Sequence, residues 1–73
     1  MRAEEISGEL RERVMDAQRD EITEHHFYAK LASSVKDREK SRVFDQISKE
    51  EMAHYRFWKK YTGVDVSPNR LKI

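Results

Sequence analysis

The sequence predicts an all-α fold: two helices folded back into an antiparallel hairpin, expected to dimerise into a four-helix bundle. Three observations predict it. The 73-residue chain has only two Gly and one Pro, and helix formers run unbroken from Ser7 to Ser34 and again from Ser41 to Thr62. Apolar residues recur in both stretches at alternating spacings of three and four. With 37% hydrophobic residues, a chain this short will struggle to bury a core alone, so it should oligomerise, bind a metal or belong to something longer.

Each element has its own signal. Residues 1–6 are too short and polar to assign. Ser7 is a plausible N-cap for a first helix over about 7–34. The polar stretch Ser33–Lys40 reads as the turn. A second helix over about 41–62 follows, with Lys59 and Lys60 in its last turn, where cations suit the helix dipole, and Gly63 as the C′ residue. Residues 1–63 are thus one hairpin. Residues 64–73 contain Pro68 and no helical period, and they read as an extended tail. The ending at Leu71 and Ile73 reads as a cut from a longer chain.

Composition narrows the function. Without cysteine, a disulfide framework, a zinc finger and thiol redox chemistry are excluded. Lys+Arg number 15 against 14 Asp+Glu, and a nucleic-acid binder of this size usually carries a clear basic excess, so no nucleic-acid partner is expected. No apolar run marks a signal peptide or a membrane span. A cytoplasmic location is expected, with membrane contact only through a missing C-terminal region.

The heptad reading exposes an anomaly. In the first helix it selects Leu10, Val14, Ala17, Glu21, Glu24, Tyr28, Leu31 and Val35. In the second it selects Phe44, Ile47, Glu51, His54, Trp58 and Tyr61. Ionisable residues interrupt both rows at mid-length. Across an antiparallel pair, facing residue numbers have a constant sum, and Glu21 with His54 and Glu24 with Glu51 both give 75. Tyr28 with Ile47 and Ala17 with Trp58 give the same sum, whose half falls between Asp37 and Arg38. Three carboxylates and one imidazole therefore meet in one layer. They cannot neutralise one another, and burying ions costs several kcal/mol each, so a bound cation is expected. Glu51 and His54, at i and i+3, reach one metal from one helix face, and Glu21 adds a carboxylate from the other.

A second apolar arc, with Met15, Ile22, Phe27 and Ala29 on one helix and Val43, Met52, Tyr55 and Phe57 on the other, predicts a second neighbour for each. Two hairpins about a two-fold axis would hold two copies of Glu21, Glu51 and His54. Four carboxylates match two divalent cations, and the mixed O/N ligation suits Fe, Mn or Zn.

At these residues the chain resembles the ferritin-like, rubrerythrin-like diiron domains. It looks most like the N-terminal ferritin-like domain of some prokaryotic relatives of vacuolar iron transporters. The similar text is AQRDEITEHHFYAKLA, EEMAHYRFWKKYTG and VSPNRLKI, spread over about residues 14–73. A complete domain of that family has four helices, and only the first two are here, so the resemblance implies a truncated piece or a self-associating half, as in two-helix encapsulated ferritins. It implies iron as cofactor, two per dimer, with Mn or Zn as substitutes, and Glu21, Glu51 and His54 as ligands. Glu51 would bridge and Glu21 would be terminal. A ferroxidase-type Fe(II) oxidation, or a link to iron transport, is implied by the resemblance alone. Glu24 is an extra ligand, a bridging carboxylate or an iron-entry residue, or else a partly solvated residue at the edge of the row. Tyr28 is core packing or a partner of a ligand carboxylate. His25 is an outer ligand or an interface residue, and His26 is solvated. The alternative function is a metal-free helical oligomerisation or interaction module.

Overall fold

The computed structural model describes residues 7–73, and residues 1–6, which the sequence leaves without an element, lie outside the described residues. Helix α1 spans Gly8–Ser34, helix α2 spans Arg38–Thr62, and a single 3₁₀ turn spans Arg70–Lys72. Ser7 caps α1, its side chain accepting from the Leu10 amide at 3.2 Å. Gly63 ends α2 at φ 72°, a left-handed conformation that glycine adopts without a Cβ clash, and its amide donates to the Lys59 carbonyl at 2.8 Å.

The connection differs from the expected turn. Helix α2 starts at Arg38, three residues before Ser41, and only Val35–Asp37 lie between the helices. The reason is Asp37, whose carboxylate accepts from the Lys40 amide at 3.0 Å. With that cap in place, Arg38, Glu39 and Lys40 are ordinary helix formers rather than turn residues. Val35 is the C-cap of α1 and not part of its apolar row.

The larger correction concerns the rows themselves. The buried residues are Gln18, Ile22, Thr23, Ser48, Tyr55, Thr62 and Val66, and none belongs to the heptad row read from the sequence. The heptad row still makes cross-helix contacts, Glu21 with His54 and Tyr28 with Phe44, but the buried contact runs along the neighbouring row, displaced by one residue and hence by about 100° around each axis. Gln18, Ile22 and His25 face Ser48, Tyr55 and Thr62 there. Residues of the second arc, expected to face another hairpin, Ile22, Met52 and Tyr55 among them, instead form the interior with Met15 and Val66. Phe27 and Phe57, from that same arc, are exposed.

Polar groups make this contact possible because each finds a partner. Ser48 Oγ donates to the His25 carbonyl at 2.9 Å, and Ser41 Oγ donates to the Ala32 carbonyl at 2.6 Å. Among the described residues, no buried side-chain nitrogen or oxygen lacks a hydrogen bond. At mid-length Glu21 meets His54, as the constant sum requires. Nearer the loop Tyr28 stacks on Phe44, ring centroids 6.1 Å apart, one turn from the expected Ile47.

The tail is not a free extension. It turns back and runs along α1 on one flank of the hairpin. Val66 is buried against Ile22 and Tyr55. The Val64 carbonyl accepts from Gln18 Nε2 at 2.7 Å, and the Asn69 amide donates to Thr23 Oγ1 at 2.8 Å. The molecule is elongated, with principal-axis extents of 45 × 23 × 14 Å. One flank carries the tail. The other is an open face holding Val14, Ala17, Tyr28, Ile47, Trp58 and Tyr61 at intermediate exposure.

Candidate metal centre

Glu21, Glu51 and His54 converge at the middle of the open face. Each offers one donor atom, and these atoms all lie within 4.8 Å of one another. His54 Nδ1 stands 3.2 Å from Glu21 Oε2 and 3.1 Å from Glu51 Oε1. Glu51 and His54 are brought together by the i, i+3 geometry of α2. Glu21 arrives from α1 because the helices are antiparallel and in this register. The carboxylates are sheltered, with side-chain exposures of 21% for Glu21 and 13% for Glu51, while the imidazole is 58% exposed. The shelter therefore comes from the hairpin on one side only.

The donor spacing fits a coordination sphere. Bonds of about 2.0–2.2 Å to oxygen and nitrogen place neighbouring ligand atoms about 3.0–3.5 Å apart. The two His54 contacts lie inside that window. Both partners are acceptors, so Nδ1 holds a proton between two carboxylates, and a divalent ion would occupy the place of that proton. The Glu21 carboxylate beside His54 is the main cause of the raised imidazole pKa; partial burial opposes it, and the negative charges of Glu21 and Glu51 add to it.

Glu24 stands outside the converging set, although the expected layer contained it. Its carboxyl is pushed up to about 7, first by a hydrogen bond to Glu51, then by burial and by the charges of Glu51 and Asp20, with His54 opposing. The Glu24 carboxyl thus holds its proton to higher pH than an ordinary carboxylate.

The neighbouring histidines separate cleanly. His25 belongs to the helix–helix contact: its Nδ1 lies 2.7 Å from the Ser48 carbonyl, and because a carbonyl only accepts, Nδ1 carries the proton. It is an interface residue within the hairpin and is not among the converging donors. His26 is exposed, and its pKa is lowered by burial and by the charges of His25 and Arg70. Asp65 was not picked out by the sequence. Its pKa is lowered by hydrogen bonds from Tyr55 and Lys59.

These shifts fix the pH response of the metal-free protein. Glu24 and His54 both bind protons more tightly folded than unfolded. Their stabilisation is complete below the unfolded values of 4.5 and 6.5 and is lost as pH rises through the folded values, about 7 for Glu24. Asp65 acts in the opposite sense, its contribution falling away as pH drops below 3.8. His26, its imidazole lowered from 6.5, opposes Glu24 and His54 by losing its contribution as pH falls through that value. With Glu24 and His54 acting together against it, the urea midpoint of the metal-free protein should be higher at pH 5 than at pH 8. A midpoint that rises over that interval would contradict this reading of the face.

An all-α hairpin with a carboxylate–histidine cluster on its open face is the class of protein these observations define. No family model, curated protein or solved structure matches the chain. Among the described residues, no helix is long and apolar enough to cross a membrane.

Proposed function

We propose that the chain is an iron-binding, ferritin-like module in which two copies pair through their open faces into a four-helix bundle around a dinuclear carboxylate–histidine site. The observation that carries the reading is the convergence of Glu21, Glu51 and His54 on the uncovered face. A lone hairpin is one layer thick, whereas domains normally enclose a core between two layers. A second copy would cover the aromatic and aliphatic side chains of that face and close the half-site at once.

The donors divide the work. Glu21 and Glu51 would each supply a carboxylate oxygen, and Glu51, the more sheltered of the two, would be the one shared between two ions. His54 serves as a neutral imidazole once its proton is displaced. Two copies bring four carboxylates against two divalent cations, and the O/N donor set suits iron, with manganese or zinc as substitutes. Bound iron would supply one-electron redox chemistry toward O₂ or peroxide, and Fe(II) oxidation or iron handling is the proposed role. Glu24, exposed and with its carboxyl raised by the neighbouring Glu51, would exchange a proton with solvent as the site fills.

A second reading, a metal-free helical interaction module, is favoured by one observation: the His54 proton already satisfies both carboxylates. Sedimentation with a Zn(II) titration separates the two. The proposal expects a dimer at micromolar concentration that saturates at one ion per chain. One ion per two chains would indicate a mononuclear site, a folded monomer would end the two-fold arrangement, and an associated protein that binds no ion would be the interaction module.

A further inference from the structure

Each of the three donors is followed in sequence by a residue of the interior that the tail completes. Glu21 precedes Ile22, Glu51 precedes Met52, and His54 precedes Tyr55. Ile22, Tyr55 and Val66 form the buried cluster, with Met52 and Met15 packed against it. One residue along a helix is a rotation of about 100°, so the cluster sits about a quarter turn from the donors on both helices. Whatever fixes the roll of α1 and α2 at the cluster also fixes where the donors point.

Only one member of the buried cluster comes from outside the helices. Val66 is 6% exposed and is held there by the tail's own bonds. Its amide donates to the Tyr55 hydroxyl at 3.0 Å, and that hydroxyl donates to Asp65 Oδ1 at 2.7 Å. Asp65 is also paired with Lys59 at 2.9 Å. The Tyr55 hydroxyl is thus a clasp between α2 and the tail, directly beside a metal donor in the chain.

We infer that residues 64–66 are a positioning element for the metal site: Val66, clasped by the Tyr55 hydroxyl, sets the mutual rotation of α1 and α2 and so the spacing of Glu21, Glu51 and His54. The inference rests on the metal-binding reading proposed above. The leverage is large. A roll of about 20° moves an atom at a radius of about 5–6 Å by about 2 Å. Metal–ligand distances tolerate about 0.2 Å. A loosened clasp therefore leaves every donor present but spreads their separations.

The test compares Zn(II) affinity at 25 °C in the full chain and in substituted versions. Tyr55→Phe keeps the ring in the cluster and removes both clasp bonds. Val66→Ala keeps the clasp and removes the packed side chain. Both should remain helical by circular dichroism, lose about tenfold or more in Zn(II) affinity and give an altered Co(II) absorption spectrum, the signature of changed ligand geometry. Ser41→Ala, which removes a hydrogen bond beside the loop, is the stability control and should lower the melting temperature without changing affinity or spectrum. Leu71→Ala, at an exposed tail position, should change neither. Wild-type affinity and spectrum in both Tyr55→Phe and Val66→Ala, with affinity lost in Glu51→Ala, would overturn the inference while leaving the metal site standing. Absence of Zn(II) binding in the wild type would overturn both.

Discussion

Zn(II) at about a hundredfold excess over its dissociation constant should raise the melting temperature of the wild-type protein by about 10–20 °C, and Glu51→Leu should abolish the rise. Binding to the folded state alone at that excess contributes about 2.7 kcal/mol, and a domain of this size gains about 4–8 °C per kcal/mol. Without metal the same substitution should leave the melting temperature unchanged or higher. The Glu24 carboxyl is pushed up to about 7, first by its contact with Glu51 and further by burial and by the Glu51 charge, so removing Glu51 relieves a like-charge pair. What is lost is one hydrogen bond to an exposed imidazole, a kind of pairing with a contribution of at most about 1 kcal/mol. The effects on the two forms are thus opposite in sign, which simple destabilisation cannot produce. Glu12→Ala, at an exposed position on α1, should do neither. Melts of the three proteins at fixed chain concentration, with and without metal, make the comparison. A wild type that gains nothing from any divalent ion at pH 7 would sink the metal site.

The second large effect lies in the interior. Gln18→Ala should destabilise the protein by about 2–4 kcal/mol, read as a lowered urea midpoint. Gln18 is completely buried, its amide donates to the Val64 carbonyl at 2.7 Å, and its carbonyl accepts from Thr62 Oγ1 at 2.7 Å. Truncation removes both short bonds, leaves buried Thr62 Oγ1 only its long contact with the Val64 carbonyl at 3.4 Å, and opens a void where the tail leaves α2; the lost bonding alone costs about 1–3 kcal/mol. Small domains have little margin to absorb such a loss. Gln46→Ala is the matched control, since that amide is bonded only to Glu50 on an exposed surface and should change stability by less than about 0.5 kcal/mol. If Gln18→Ala behaves like the control, the docked tail adds nothing to the fold.

How much of this was legible can be traced residue by residue. Ser7 and Gly63 end their helices through bonds to near neighbours in the chain, so their residue types alone mark the boundaries. Asp37 carries an equally local signal, but it stands in a run of charged residues that resembles a polar turn, so the expected start of α2 falls three residues after the observed one. Glu21, Glu51 and His54 were legible as a group because one spacing and one antiparallel sum bring them together. The row that closes the hairpin was not. Gln18, Ser48 and Thr62 occupy it, and hydropathy ranks these as surface residues. They are buried because Gln18 meets Thr62 and the Val64 carbonyl while Ser48 meets His25. Those partners are 23 to 46 residues away in sequence.

The sequence by itself determined that there are two long helices, that a glycine stops the second, and that two carboxylates and an imidazole can gather at one level of an antiparallel pair. These follow from propensity, capping and helical period, which act over a few consecutive residues. Only the tertiary structure decided which of two adjacent rows faces the partner helix, that Glu24 stands beside the converging donors rather than among them, and that the tail folds back to bury Val66. The two rows differ by about 100° of rotation and carry comparable apolar content. Between them the choice falls to side-chain volume and to the pairing of every buried polar atom across the interface, which depend on residues far apart in the chain.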